Sequence, residues 1–452
     1  MKKFLSLVLA LVMTMSLVTV SAGAKDFTDN SKINYEEAVE VMSTLGVVGG
    51  YTDGSFNPQG TLTRGAAAKI ICNLILGTTT ADALTADAAP YKDVATTNVF
   101  APYIAYCAKE GIISGYADGT FRPANTLTGY AFMKMLLGAL GLQADKEGYT
   151  GPNWSISVAK RALSKDVALD NGLKGEFNGA KAATREEACL YALNMLKAGT
   201  FSYPNDNTVI VGNVSVSTSA KAVQDKNKPY YETVFKNLFA HSTSDAFGRP
   251  ATRWDYKGVK IGTYAKTPDL TYVGSVKVND IYADLNMSTK DTTANLYVNG
   301  ESFDTAKNGK DAATFTVSKA NDTKLDKLGG TADKIGNGTL IEVYRDDDNN
   351  HVDVIAMSVY AGKITDVKDA TSKKDAYVVV DTDSTIADFN DEYETEAFAE
   401  DDVVAFTYAD GEIQTMYKME SVSGELTKKV IEKSLTIGDT TYKYGKEYTF
   451  NG

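Results

Sequence analysis

Residues 50–67 read "GYTDGSFNPQGTLTRGAA" and residues 115–132 read "GYADGTFRPANTLTGYAF". Gly-Tyr, Asp-Gly, Phe, Pro and Thr-Leu-Thr recur in register, so the chain must fold as a repeat. Each stretch is preceded by helical patterning. In "YEEAVEVMSTLGVVGG", Ala38, Val41, Met42 and Leu45 fall at i, i+3, i+4 and i+7, one apolar helix face that stops at Gly46. Each stretch is followed by a second helix, opened by Thr63 before "RGAAAKIICNLIL" and by Thr128 before "FMKMLLGALGL". A divergent third unit keeps the order, with "NWSISVAKRALSKDVAL" and then "NGLKGEFNGAKAATREEACLYALNML". Phe56 and Arg64, Phe121 and Gly129, and Phe177 and Arg185 are each eight residues apart. Where two units carry Arg, the middle one carries Gly.

The chain has 452 residues and a formal net charge of −12, which argues for several domains and against nucleic acid as the main partner. Residues 25–200 hold 16 Lys and Arg against 18 Asp and Glu, so the acidity lies after residue 200. The opening "MKKFLSLVLALVMTMSLVTVSAGA" has two lysines, an apolar run and an Ala-Gly-Ala site. This reads as a secretory signal over residues 1–24, the alternative being a membrane-anchoring helix. No other segment is apolar for long enough to cross a bilayer, so no membrane association is expected after cleavage. Cys72, Cys107 and Cys189 sit in apolar helical patterns and read as buried free thiols.

The expected fold class is multidomain α+β. Repeats occupy 25–80, 88–144 and 148–198; a mixed, mainly β domain follows over 201–335, and β-rich modules over 336–452. Past residue 201 the only helical signal is "YYETVFKNLFA". Alternating strands such as "TLIEVYR", "HVDVIAMSVY" and "DVVAFTYADGEIQTMYKME" take over, with hairpin turns expected at Asp346 and Asp410. "YAGKITDV" and "VSGELTKK" hint at a duplicated β-module. "SLTIGDTTYKYGKEYTFNG" is strand-like to its end, which suggests a longer natural chain or an edge strand paired with a partner.

The three units resemble S-layer homology domains. The likeness is carried by "FTD" at Phe27, "YKDV" at Tyr91, "GYTDGSFNP", "GYADGTFRP", "LTRG" and "ATREE", and it covers residues 26–198. The resemblance implies a pseudo-threefold helical prism in which each unit gives one helix to a central bundle. It also implies grooves between units that bind secondary cell-wall polymer, often through a pyruvate ketal carboxylate, and location at the bacterial cell wall or S-layer. On that basis the ligand-contacting Arg corresponds to Arg64 and Arg185, and the opening Asp to Asp29 and Asp93. The Gly-Tyr turns correspond to Gly50-Tyr51 and Gly115-Tyr116, and Trp154 stands near a frequent Trp position. "NGLKGEF" departs from the pattern, lacking the Tyr and the Asp.

Elementary chemistry supports a carboxylate at these Arg positions. "TREE" is a capping box, Thr184 being the N-cap and Glu187 the third helical residue. A cation at the first helical residue opposes the helix dipole unless an anion docks there. Free amides and a guanidinium would then converge on one carboxylate. The alternative is pairing of Arg64 and Arg185 with acids of a neighbouring unit. Asp53 and Asp118 read as turn residues. Tyr51, Tyr116 and Trp154 suit stacking on a sugar, with core packing as the alternative. Gly129→Ala is expected to firm up its helix. No cofactor is expected; "DDDNNHVD" from Asp346 lacks an EF-hand's sixth-position Gly and final Glu, leaving a solvated turn with weak Ca2+ binding as the alternative. "NDEYETEAFAEDD" reads as an exposed acidic loop. The letters of "HSTSD" from His241 do not make a triad. The expectation is therefore a non-enzymatic surface protein, self-assembling or adhesive through its β region; the alternative is a wall-anchored glycan hydrolase.

Overall fold

The computed structural model describes residues 27–443 apart from 205–206, 212–213, 219–220, 275, 288–292, 303–313, 317–324, 326–334, 336–338, 347–350, 373, 383–385, 387, 420–423 and 431–433. The segment read as a secretory signal and the last residues of the chain lie outside this set. The described residues form two compact units. One runs to residue 240 and includes 254–262; the other comprises 241–253 and the residues from 263 onward.

The first unit is the three-repeat body. The opening helices are Glu36–Thr44, Ala101–Lys109 and Trp154–Ala162, and the closing helices are Arg64–Leu76, Gly129–Ala139 and Arg185–Lys197. Each closing helix starts at the residue the eight-residue register marks. Thr63, Thr128 and Thr184 cap them, their hydroxyls accepting from the amides of Ala66, Ala131 and Glu187, and Thr184 with Glu187 forms the expected capping box. The closing helix of repeat 2 packs against those of repeats 1 and 3, the central bundle that the family resemblance implied. Each closing helix also packs against the next repeat's opening helix: repeat 1 on repeat 2, repeat 2 on repeat 3, and repeat 3 back on repeat 1. Their buried sides include Ile71, Cys72, Leu74, Phe132, Leu136, Leu193 and Met195. All three cysteines are free and buried, as expected.

Three backbone hydrogen bonds close the ring. Leu62 donates to Ala183 (2.8 Å), Ala183 to Leu127 (2.9 Å) and Leu127 to Leu62 (2.8 Å). In every turn one glycine carries a left-handed backbone: Gly54 at φ 84°, Gly119 at 80° and Gly175 at 82°. That shared requirement explains why "KGEF" keeps the glycine of "DGSF" while losing the Asp. The unit extends past repeat 3. Strand β1 (Gly199–Ser202) pairs with β4 (Val223–Pro229), and β2 (Asn207–Val211) with β3 (Val214–Thr218). Trp254, fully buried, donates its indole N–H to Glu37 at 2.8 Å. Glu37 also pairs with Lys197 at 2.9 Å.

The expected helix in "YYETVFKNLFA" shrinks to Tyr231–Val234, because its second half is the strand β5 (Leu238–Ser244). With β6 (Pro250–Tyr256) and β7 (Val259–Ala265) it makes a three-stranded sheet.

In the second unit, β8 (Leu270–Val273), β9 (Thr293–Val298), β10 (Glu301–Ser302), β11 (Thr314–Thr316), β12 (Leu340–Asp346) and β13 (His351–Met357) form one sheet. β9 and β13 are parallel, Leu296 opposite Val354. A helix not anticipated from sequence, Val278–Asp284, packs Val278, Ile281 and Tyr282 with Leu296, Val343, Val352 and Val354. It is short and its N-cap, Lys277, makes no side-chain cap, so little marks it locally. Ile355 and Met357 join a separate cluster with Phe247, Leu340, Tyr344 and Ala409, as strand alternation requires.

The second sheet runs in the order β16 (Glu392–Glu394), β15 (Tyr377–Asp381), β14 (Val359–Lys368), β17 (Val403–Ala409), β18 (Glu412–Lys418). β12 and β13 form the hairpin expected at Asp346, whose turn lies outside the described residues. The Asp410-Gly411 hairpin has both residues left-handed, at φ 53° and 78°. The acidic stretch from Asn390 contributes strand β16 and is ion-paired rather than merely solvated: Lys374 with Glu392 and Lys418 with Asp402, each at 2.5 Å. β19 (Leu426–Val430), β20 (Ser434–Ile437) and β21 (Thr440–Lys443) make a last sheet. The hinted duplication has a shared irregularity. β14 bulges between Ile364 and Asp366, β19 between Leu426 and Lys428, and the bulged Thr365 and Thr427 each donate to a carbonyl of the following strand, of Val379 and Thr436 respectively, at 3.3 Å.

Candidate functional site

The cavity of the repeat body is built from all three repeats. This cavity, of about 380 Å³, is lined by Arg64 from repeat 1, by Ser114, Tyr116, Phe121 and Lys134 from repeat 2, and by Tyr149 and Trp154 from repeat 3. Arg64 donates Nε to the carbonyl of Phe121 (2.8 Å) and Nη2 to that of Ser114 (3.1 Å). Its guanidinium lies over the rings of Phe121 (4.3 Å) and Tyr116 (5.0 Å). Arg122 covers Tyr116 too, at 4.2 Å. Burial pushes the pKa of Arg64 and of Lys134 below their ordinary values. Among the described residues Lys134 has no carboxylate partner, and its ammonium stands 5.6 Å from the Trp154 ring. Lys134 was not anticipated from sequence; its place one helical turn past the Gly129-Tyr130 start was the only signal.

Arg185 repeats the arrangement one seam away. It donates to the carbonyls of Phe56 and Gly49, both at 2.8 Å, and lies over Phe56 (4.7 Å) and Tyr51 (4.9 Å). Both Arg residues thus engage neighbouring backbone carbonyls and rings, rather than the acids offered as an alternative. The position of Lys134 is taken by Lys69, which faces Asp82 at 3.8 Å and the Tyr103 ring at 5.3 Å. The position of Trp154, four residues before a fully buried aliphatic (Val158, Ile104), is taken by Phe100, whose ring packs onto Gly65.

The third seam differs throughout. Gly129 replaces the Arg, and a Cβ there would stand 3.2 Å from the Gly179 Cα. The turn of repeat 3 has Gly172 where the other turns have Tyr51 and Tyr116, and Lys174 where they have Asp53 and Asp118. Lys174 latches the turn to repeat 1: its amide donates to the Tyr35 hydroxyl (3.1 Å) and its Nζ to Asn34 Oδ1 (3.4 Å). Tyr35 holds the position equivalent to Trp154, four residues before buried Val39. Segments that flank a cavity at the first seam are therefore tied directly together at the third.

The remaining sequence-selected residues brace the turns. Asp29 accepts from the amides of Phe56 (2.7 Å) and Asn57 (2.8 Å). Asp93 accepts from those of Phe121 and Arg122, both at 2.7 Å. Burial works against the Asp93 charge, yet the two amides hold its carboxyl below the usual range. Asp53 and Asp118 close their own turns by accepting from Ser55 and Thr120, and the Thr120 hydroxyl and amide, with Arg122, bring Asp118 down to about 2. Gly50 and Gly115 admit the aromatic of the opening motif, since a Cβ would stand 2.7 Å from the Phe27 ring and 2.3 Å from the Tyr91 ring. Tyr51 and Tyr116 are 52% and 41% exposed, so neither is a core residue.

The helix-end part of the sequence argument needs correction. The first amides of the closing helices are not free for an anion. Arg64 donates to Asn125, Gly65 to Pro123, Gly129 to Lys181, Tyr130 to Gly179, Arg185 to Gly60 and Glu186 to Pro58, all across a repeat boundary. The third amides are spent on the Thr caps. A ligand anion at these seams would not meet the helix-start amides. In the other unit, Asp245 of "HSTSD" binds Arg249 Nε at 2.5 Å rather than serving a triad. Among the described residues no cluster of three or more His, Cys, Asp or Glu is placed to hold a metal, and no helix is long and apolar enough to cross a membrane.

Residues 26–68 and 90–129 match the S-layer homology domain family. The chain carries S-layer homology domains. Its third repeat carries the same fold outside the matched residues. The chain is similar to a surface layer protein of Brevibacillus choshinensis, 31% identical over 170 residues, 37% of this chain and 15% of that one. It is also similar to a surface-layer 125 kDa protein of Lysinibacillus sphaericus, 26% identical over 39% of this chain and 15% of that one. An endoglucanase of Bacillus sp. (strain KSM-635) is 28% identical over 30% of this chain and 15% of its own length. The S-layer homology chain thus spans about 15% of the length of these relatives.

Proposed function

We propose that the three S-layer homology repeats anchor this protein non-covalently to an anionic secondary cell-wall polysaccharide, and that the Arg64 groove is the principal site. The observation that carries this is the cavity itself, where Arg64 and Lys134 are both partly desolvated beside Tyr116 and Trp154. A buried cation without a counter-charge is costly, and a ligand carboxylate, such as a pyruvate ketal, offsets that cost with charge-assisted hydrogen bonds. The rings of Tyr116 and Trp154 give apolar faces for a sugar. At the Arg185 seam Asp82 already answers Lys69, and Phe100 fills space against Gly65, so that groove binds more weakly. The Gly129 seam does not bind.

The acidic β-rich remainder is displayed outward as a surface-layer or adhesive region, with no catalytic role and no cofactor. The relation to surface layer proteins supports this reading. The endoglucanase relation favours a second one, in which the same anchor carries a glycan hydrolase. Full-length protein incubated with purified walls separates the readings. Anchoring predicts co-sedimentation that disappears once the secondary polymer is extracted, and equal binding to bare peptidoglycan rejects it. Release of reducing sugar from wall glycans would establish the hydrolase.

A further inference from the structure

We infer that Cys72 and Cys107 are a modification site: an intrachain disulfide that ties repeat 1 to repeat 2 in the protein outside the cell. The two Sγ atoms lie 3.5 Å apart and both residues are fully buried. Cys72 stands on the closing helix of repeat 1 and Cys107 on the opening helix of repeat 2, two helices that pack together. Each thiol reaches the backbone of the opposite helix. Cys72 donates to the carbonyl of Tyr103 and Cys107 to that of Ala68, both at 3.6 Å. Tyr103 precedes Cys107 by four residues, and Ala68 precedes Cys72 by four. The two sulfurs therefore face each other symmetrically across the seam. A disulfide holds its sulfurs about 2.0 Å apart, so the pair must close by roughly 1.5 Å, within reach of side-chain rotation. The corresponding positions at the other seams are Leu193 with Met42 and Leu137 with Arg161, so the thiol pair belongs to the Arg64 seam alone.

The cell surface is an oxidising location, where a facing thiol pair persists as a disulfide. The reaction is exchange with an external disulfide, a small-molecule or oxidoreductase cystine. One thiolate of the pair attacks a sulfur of that oxidant, expelling one thiol and forming a mixed disulfide. The second thiolate then attacks the bonded cysteine sulfur, expelling the other. Two electrons pass to the oxidant, the two Cys protons end on its two thiols, and one S–S bond replaces another. Timing follows from burial. Attack needs the thiolate, and contact with Cys72 together with burial pushes the Cys107 thiol far up in the folded core. Exchange belongs to the folding stage, before the two helices close, and the finished bond is then sheltered from reductant.

The test is alkylation of full-length protein under denaturing conditions, without prior reduction, after export by a producing cell or refolding with oxidised and reduced glutathione. The chain has three cysteines. One alkylated residue, Cys189, with a reduction-sensitive peptide pair joining Cys72 and Cys107, is the expected result. Three alkylated cysteines, or a disulfide that includes Cys189, overturn the inference. The Cys72→Ala/Cys107→Ala variant should keep wild-type circular dichroism and lose the reductant-dependent drop in Tm that the wild type shows after a denaturing reduction and refolding cycle. A wild type with no such drop also overturns it.

Discussion

The Arg64 and Gly129 seams have the same backbone and opposite contents. At both, a Thr-capped helix enters against the next repeat's turn and donates its first two amides to that turn's carbonyls. At the Arg64 seam the side chains hold a cavity open: Arg64 against Phe121 and Tyr116, Lys134 beside Trp154. At the Gly129 seam they close it, with Lys174 tied to Tyr35 and Asn34. The ring closes at every seam through backbone groups, and none of those bonds uses the Arg side chain. That is why one copy can lose the Arg.

The largest expected effect tests the ring rather than the groove. Glu186 is 2% exposed and accepts from the Asn34 amide (2.6 Å), the Asn34 side chain (3.0 Å) and Gln59. Glu186→Ala strands these donors at the repeat 3–repeat 1 seam and should cost about 3 kcal/mol in urea unfolding. A loss under about 1 kcal/mol would mean that the backbone bonds alone hold the ring.

Next come the cations. Arg64→Ala should weaken wall binding about ten- to a hundred-fold, because it removes a charge-assisted contact. Arg185→Ala should do less; if it does more, the ranking of the two seams is reversed. Lys134→Met should cost about ten-fold in binding, while Lys69→Met, whose cation faces Asp82, should cost little. Equal losses would show that both grooves work.

Two further effects probe the closed seam. Burial, then Glu40, raises the Glu36 carboxyl from 4.5 to about 8, with Lys174 opposing. The folded state thus keeps a proton that the unfolded chain releases, so stability should fall as pH rises from 4.5 toward 8. Glu36→Gln should flatten that decline in a plot of Tm against pH. Gly129→Ala should leave wall binding unchanged. The sequence pattern suggests that it stabilises the helix, but the 3.2 Å approach to the Gly179 Cα offsets that gain, so a change within about 1 kcal/mol of zero is expected. Loss of wall binding in this variant would reject the closed-seam assignment.

Much of the body was legible because its signals are local. The Thr caps, the helix starts eight residues after each Phe, and the Asp-Gly hairpin follow from backbone rules acting within a few residues. The Val278–Asp284 helix and the strand inside "YYETVFKNLFA" were not legible, because short elements take their conformation from the sheet they cover or join. Around the seams, Arg64, Arg185, Tyr51 and Tyr116 stood out from the repeat pattern and Trp154 from the family resemblance, whereas Lys134 did not, since an isolated lysine on a helix carries no signal of its own.

Sequence alone determined three helix–turn–helix units, their caps, their left-handed glycines and the absence of one Arg. It showed Gly129 and the degenerate "NGLKGEF" as two separate departures in two repeats. Only the tertiary structure made them one. Each closing helix inserts its start into the following repeat, so the Arg of one repeat meets the Tyr and Phe of the next. That offset arises from hydrogen bonds between residues some 50 to 130 positions apart, such as Leu62 with Leu127 and Leu62 with Ala183. No pattern within one helix or turn encodes it, because the pairing is chosen by closing the ring as a whole.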